Sequence, residues 1–213
     1  MNTERNTKLQ KAERLADSIT HGMGVLLSIA ALVLLIVIAS MRGNAWNVVS
    51  FTIFGSSLII LYLASTLFHS ISHPAINRIL QRIDHSAIYI LIAGSYTPFL
   101  LGPLRGAWGW TIFGIIWGLA ILGILYKTFY FHRFTKLSTL IYIVMGWLVV
   151  IIFRQLLVSL STATLILLVS GGLSYTFGTI FYSWERLPFN HAIWHLFVLG
   201  GSVCHFFAVA HII

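Results

Sequence analysis

Charged side chains divide this sequence into apolar intervals. Charge-free stretches run over 18–41, 43–77, 85–104, 106–126, 137–153, 155–184 and 187–213. Each is long enough, or nearly so, for the ~20 residues a membrane-spanning helix needs. The fifth interval is the shortest, at 17 residues. Membrane β-barrels would instead show alternating segments of ~10 residues, and no such alternation is seen. The pattern predicts an all-α integral membrane protein: a seven-transmembrane helix bundle forming one domain over 1–213, with 1–17 as a polar N-terminal tail.

Local signals refine the elements. His73 precedes Pro74, and the residue before a proline is pushed out of helical conformation, so the second helix ends there. Pro98 kinks or ends the third helix. Glycines in GLAILG and SGGLSYTFG let helices approach closely. Trp46, Trp108 and Trp184 fall near predicted span ends, where interfacial aromatic belts sit.

Composition strengthens the membrane reading. Hydrophobic residues make up 58% of the chain and charged residues 8%, against about 25% charged in soluble domains. The net charge of +8 is read as a topology signal rather than as a nucleic-acid footprint, so no nucleic-acid partner is expected. With seven spans, one side receives Arg5, Lys8, Lys11, Arg14, Arg78, Arg82, Lys127, Arg133, Lys136 and Arg186, and the other only Arg42, Arg105 and Arg154. Ten basic residues against three place the N-terminus in the cytoplasm and the C-terminus outside. The polar opening MNTERNTKLQKAERLADS does not read as a signal peptide. Cys204 is the sole cysteine, which excludes a disulfide framework and a cysteine metal cluster.

The chemistry lies in polar residues at the cytoplasmic helix ends. FNHAIWH opens the seventh span with His191 and His195 four apart, hence on one helical face. The second span ends with Ser65 and His69, again four apart, and the third begins with Asp84. Ionisable groups inside a membrane are costly and mark function. Three imidazoles with an open fourth position make a catalytic type of zinc site. His69, His191 and His195 are therefore the candidate metal ligands. Asp84 is the candidate general base, and Ser65 could hydrogen-bond a substrate carbonyl or support the site. His73 and His85 flank the site as alternative ligands. Glu13, Asp17 and His21 recur every four residues; they either cap and brace the first helix or reach the metal site. His205 shares a face with His191 and His195 but lies roughly 15 Å beyond His195 at 1.5 Å per residue. It lines an inner cavity or hydrogen-bonds across the bundle. His211 reads as interfacial and His132 as solvated in a basic loop.

The segments ITHGMG, ASTLFHS, RIDHSAIYILIAGSYTPFLL and NHAIWHLFVLGGSVCHFFA resemble the bacterial haemolysin III family. That family belongs to the progestin and adipoQ receptor superfamily, which includes the adiponectin receptors. The resemblance spans essentially the whole chain. It implies seven helices, a cytoplasmic N-terminus and zinc held by His69, His191 and His195. Asp84 would hold or activate the attacking water, and Ser65 would support the site. The family often has asparagine at the position of Asp17. The animal receptors are similar to ceramidases in site chemistry, which implies hydrolysis of a lipid amide.

Two function classes follow. One is a multi-pass protein of the bacterial inner membrane that hydrolyses a lipid amide or ester with zinc and serves membrane lipid homeostasis, with membrane lipids as partners. The alternative is non-enzymatic: a membrane-homeostasis sensor, or a haemolysin-type pore with cytolytic activity. A haem protein ligated through His69 or His205 is a third class, and an absorption band would reveal it.

Overall fold

The computed structural model describes residues 2–130 and 135–213, with side chains over 7–129 and 137–213. His132 and Arg133, and the side chains of Arg5 and Lys136, lie outside the described residues. Among those described, every regular element is helical: α1 (Asn2–Arg42), α2 (Ala45–Ser70), α3 (Pro74–Leu101), α4 (Ala107–Tyr130), α5 (Thr135–Gly146), α6 (Phe153–Ser159), α7 (Thr162–Ser183) and α8 (Asn190–Ala210), with a 3₁₀ stretch, Trp147–Ile152, joining α5 to α6.

Six segments are long and apolar enough to cross a membrane: Thr7–Arg42, Ala45–Ser70, Ala107–Phe129, Leu137–Ser159, Thr162–Ser183 and Asn190–Ala210. The third expected span, α3, is helical over its whole length but less apolar. Its opening turns carry Asn77, Arg78, Gln81, Arg82 and Asp84, and its buried second half includes Ser95, Thr97 and Pro98. Packed between α2 and α4, α3 has little surface that must match lipid.

The helix boundaries have local causes. Asn44 caps α2 through a reciprocal capping box with Asn47. Pro74 takes the first turn of α3 with His73 as its N-cap, a position where the missing N–H costs nothing. Pro98 lies inside α3, which ends three residues later as the Gly102 amide donates to the Pro98 carbonyl over 3.0 Å. Residues 2–17 form the opening turns of α1, which runs unbroken from Asn2 to Arg42. One expectation changes. Arg154 does not sit in a loop but in α6, exposed, where a long side chain can extend to water while the helix continues.

Large apolar side chains cover the outside. On α1, Leu15, Ile19, Met23 and Leu26 are 60%, 57%, 55% and 67% exposed, whereas Asp17, His21, Ser65, Asp84 and His195 are buried. Apolar surface outward and polar groups inward is the arrangement lipid demands. Trp46, Trp108 and Trp184 are all exposed, and the Arg105 guanidinium lies 5.2 Å from the Trp46 ring centre.

Close helix approach depends on two glycines in particular. A Cβ at Gly123 would overlap the Tyr89 ring, and one at Gly171 would overlap the His205 ring. Gly118 of GLAILG, by contrast, faces open space.

Candidate metal centre

The C-terminal turn of α2 and the first two turns of α8 bring His69, His191 and His195 together. One nitrogen from each can be chosen so that all three lie within 4.8 Å of one another. The ring centres of His191 and His195 are 4.6 Å apart, and His69 lies 4.8 Å from His191 and 5.3 Å from His195. Among the described residues this is the one group of three metal-ligating side chains so placed, and it could hold a metal ion.

Helix α1 decides which ring nitrogens carry the protons. Asp17 Oδ2 lies 3.3 Å from His69 Nδ1. This occupies the Nδ1 edge of the ring, while His69 Nε2 is buried with no partner among the described residues. On the other ligand, Thr20 Oγ1 lies 3.0 Å from His195 Nδ1. Thr20 Oγ1 is also 2.9 Å from the Ala16 carbonyl and 3.0 Å from that of Asp17. A hydroxyl has one proton and a carbonyl can only accept. All the contacts are satisfied when Thr20 donates to the carbonyls and accepts from His195 Nδ1–H. Both imidazoles then keep Nε2 as a bare acceptor, the form a metal needs. The donor set thus fits a divalent transition metal, and the orphaned Nε2 of His69 is what such an ion would satisfy.

The sequence left two readings for Glu13, Asp17 and His21. The structure removes capping of α1, because all three lie well inside a helix that begins at Asn2. Asp17 meets a candidate ligand. His21 stacks on His195, with ring centres 3.3 Å apart and planes 13° from parallel. Glu13 caps a different helix: its Oε1 accepts the Phe189 amide over 3.1 Å, just ahead of α8. Phe189 itself is left-handed at φ 56°, a strained conformation for a bulky residue.

Ser65 and Asp84 are 1% and 8% exposed. Both line, with His21, His191 and His195, a cavity of about 430 Å³ whose remaining walls are mainly apolar. The Ser65 hydroxyl lies near the Asp84 carboxylate without a hydrogen bond to it. A second cavity, of about 780 Å³, is lined by Glu13, Arg14, Asp17, His69, Gln81 and other polar groups. His191 borders both cavities, as do His85, Lys127 and Tyr182. The trio therefore stands where a polar vestibule meets an apolar chamber.

The other histidines divide as follows. His85 borders the cavities outside the trio, and His73 is exposed at the head of α3. His205 does both things expected of it: Nε2 reaches the Leu168 carbonyl of α7 at 3.2 Å, and the ring lines the apolar chamber. His211 is exposed and bonds the Phe207 carbonyl at 2.7 Å.

Sequence reasoning missed Thr20 and the burial of Lys127. Thr20 had a signal, since it lies three residues after Asp17 on the face of α1 that carries Glu13 and His21. Lys127 was counted with the loop charges, yet it is 1% exposed at the end of α4.

The chain is similar to known proteins over nearly its whole length. Residues 10–206 match the family described as haemolysin-III related. A hemolysin-3 homolog of Bacillus subtilis (strain 168) is 59% identical over 197 residues, covering 92% of each chain. Hemolysin-3 of Bacillus cereus is 54% identical over 209 residues, covering 97% of this chain and 95% of its own. The human monocyte to macrophage differentiation factor is 30% identical over 207 residues, covering 92% of this chain and 83% of its own. The chain belongs to the haemolysin III family and is a multi-pass protein of the cell membrane.

Proposed function

We propose that this protein is a zinc-dependent hydrolase of a lipid amide or ester, with seven spanning segments, a cytoplasmic N-terminus and its metal site near the inner membrane face. The observation that carries the reading is the position of His69, His191 and His195 between a polar vestibule and an apolar chamber. Water has access from one side and an acyl chain has room on the other. The alternation of seven segments puts the starts of α1, α3 and α8 and the ends of α2, α4 and α7 on one side, and the vestibule is lined from these ends.

His69, His191 and His195 would hold the ion through nitrogen. Zinc, when bound there, supplies Lewis-acid polarisation of a carbonyl and makes water easier to deprotonate. Asp84 takes a proton from the attacking water as its oxygen joins the carbonyl carbon. Ser65 donates a hydrogen bond to the substrate carbonyl oxygen. When the bond to the leaving nitrogen or oxygen breaks, Asp84 returns the proton to that atom. The apolar chamber holds the chain and keeps bulk water from the carbonyl.

The test begins with protein purified in mild detergent without chelator or histidine tag. About one zinc per chain, lost in a His191→Ala, His195→Ala double variant, supports the site. Release of fatty acid from long-chain amides or esters in mixed micelles, abolished by His69→Ala, supports the reaction. Metal-free parent protein, or hydrolysis that survives His69→Ala, overturns the reading. The name of the Bacillus cereus relative points to a second reading, lysis through a pore. The mainly apolar walls of the chamber do not favour it, because ion paths are lined by charge or carbonyl oxygens.

A further inference from the structure

Two consecutive residues of α1, Glu13 and Arg14, reach the backbones of the two helices that carry the histidine trio. Neighbours on a helix point about 100° apart, so one turn of α1 can address two partners. Glu13 Oε1 accepts the Phe189 amide over 3.1 Å. Phe189 is the N-cap of α8 and stands two residues before His191. Arg14 serves the other helix. Its Nε donates to the carbonyl of His69 itself over 3.3 Å, and its Nη2 to the Ile71 carbonyl over 3.1 Å.

Both contacts fall where a helix leaves backbone groups without partners of its own. The carboxylate meets the amide end of α8 and the guanidinium the carbonyl end of α2, each the sign that the helix dipole favours. The start of α8 has no side-chain cap from its own N-cap residue, and Phe189 holds a left-handed φ of 56°. The end of α2 is also tied to α3, where Asn77 donates to the Phe68 and Ile71 carbonyls over 2.7 and 2.8 Å. Residues 13 and 14 lie well inside a helix that begins at Asn2, and that helix packs on both α2 and α8. The start of α8 and the end of α2 are thus referred to one turn of one helix.

We propose that Glu13 and Arg14 are positioning residues that set the separation of His69 from His191 and His195. Asp17 and Thr20 contact the rings; Glu13 and Arg14 hold the backbones that carry them. The inference rests on the proposed function only in taking those three histidines as the ligand set. The separation itself is independent of any ion.

The test uses full-length protein in lipid nanodiscs and two readouts. The first is a spin-label distance, taken with chelator present, between labels at exposed Ser72, just past α2, and Leu196 of α8, 57% exposed, in a Cys204→Ser background. The second is zinc affinity by competition with a chromophoric chelator. Glu13→Ala and Arg14→Leu should each broaden the distance distribution and weaken zinc about tenfold or more. Glu13→Gln keeps an oxygen for the Phe189 amide and should match the parent in both. The losses in the double variant should not multiply, because each residue holds one end of the same tie. Gly171→Ala, destabilised far from this tie, should leave both readouts unmoved. A distance distribution indifferent to Glu13→Ala and Arg14→Leu overturns the proposal. So does Glu13→Gln behaving like Glu13→Ala, or Gly171→Ala broadening the distribution equally. Distances that respond as stated in a parent that binds no zinc would uphold the positioning and overturn the proposed function alone.

Discussion

Thr20 of α1 accepts a hydrogen bond from His195 of α8 across 3.0 Å. The bond joins residues 175 apart in sequence, and it fixes the side of the imidazole that remains free. Groups that orient a metal-bound histidine typically change metal affinity by 10–100-fold when removed. Thr20→Val should weaken zinc binding by that order, measured by competition with a chromophoric chelator. Thr20→Ser keeps the oxygen and should restore it. Equal loss in both variants would mean that packing, not the hydrogen bond, is what Thr20 provides.

Asp17 plays the matching part for His69. Asparagine keeps an oxygen that can accept from Nδ1–H, whereas alanine keeps nothing. Asp17→Asn should retain most of the metal, and Asp17→Ala should lose roughly tenfold or more in affinity. Metal content after extended dialysis separates the two.

The histidine trio was legible in the sequence for a physical reason. Two imidazoles at i and i+4 in an apolar run are costly in lipid unless they meet a common partner, and counting basic residues placed His69 and Asp84 at the same end. The contributions of α1 were only half legible: the four-residue spacing of Glu13, Asp17 and His21 left a reach to the metal site open beside capping. Periodicity gives the face of a helix but not its neighbour, so nothing said that α1 packs on both α2 and α8. The break in the fifth segment was hidden likewise. Tyr96 of α3 donates to the Met145 and Gly146 carbonyls at 3.0 and 2.6 Å and accepts the Val149 amide at 2.8 Å. That side chain captures backbone groups an α-helix would use itself, and WLVVII alone carries no such signal.

Asp84 should separate binding from chemistry. Asp84→Asn preserves shape and lies outside the ligand trio, so zinc content should stay near that of the parent. Hydrolysis should fall by roughly a hundredfold or more, the range general bases supply. Parallel loss of zinc would move Asp84 from proton transfer into metal binding.

Metal removal should be felt as lost stability. An ion that binds only the folded state stabilises it by about 4 kcal/mol when present at a thousandfold excess over Kd. Chelator should therefore lower the Tm of the parent protein and leave that of the His191→Ala, His195→Ala variant unmoved. A parent Tm indifferent to chelator would contradict a bound structural or catalytic ion.

Gly171→Ala tests the helix contact beneath His205. The added methyl overlaps the imidazole ring, and overpacking of this kind costs about 1–3 kcal/mol. The same change at Gly118, which faces open space, should be neutral or slightly stabilising. Thermal unfolding in detergent compares them directly.

The junction of vestibule and chamber at His191 has a directional consequence. An amphiphile cleaved there has its two halves already in different solvents. Under the proposed reaction the small polar fragment would depart through the vestibule into water, while the chain would stay in the apolar chamber. Separation of the products would then coincide with their formation, and recombination would require the fragments to meet again across a phase boundary.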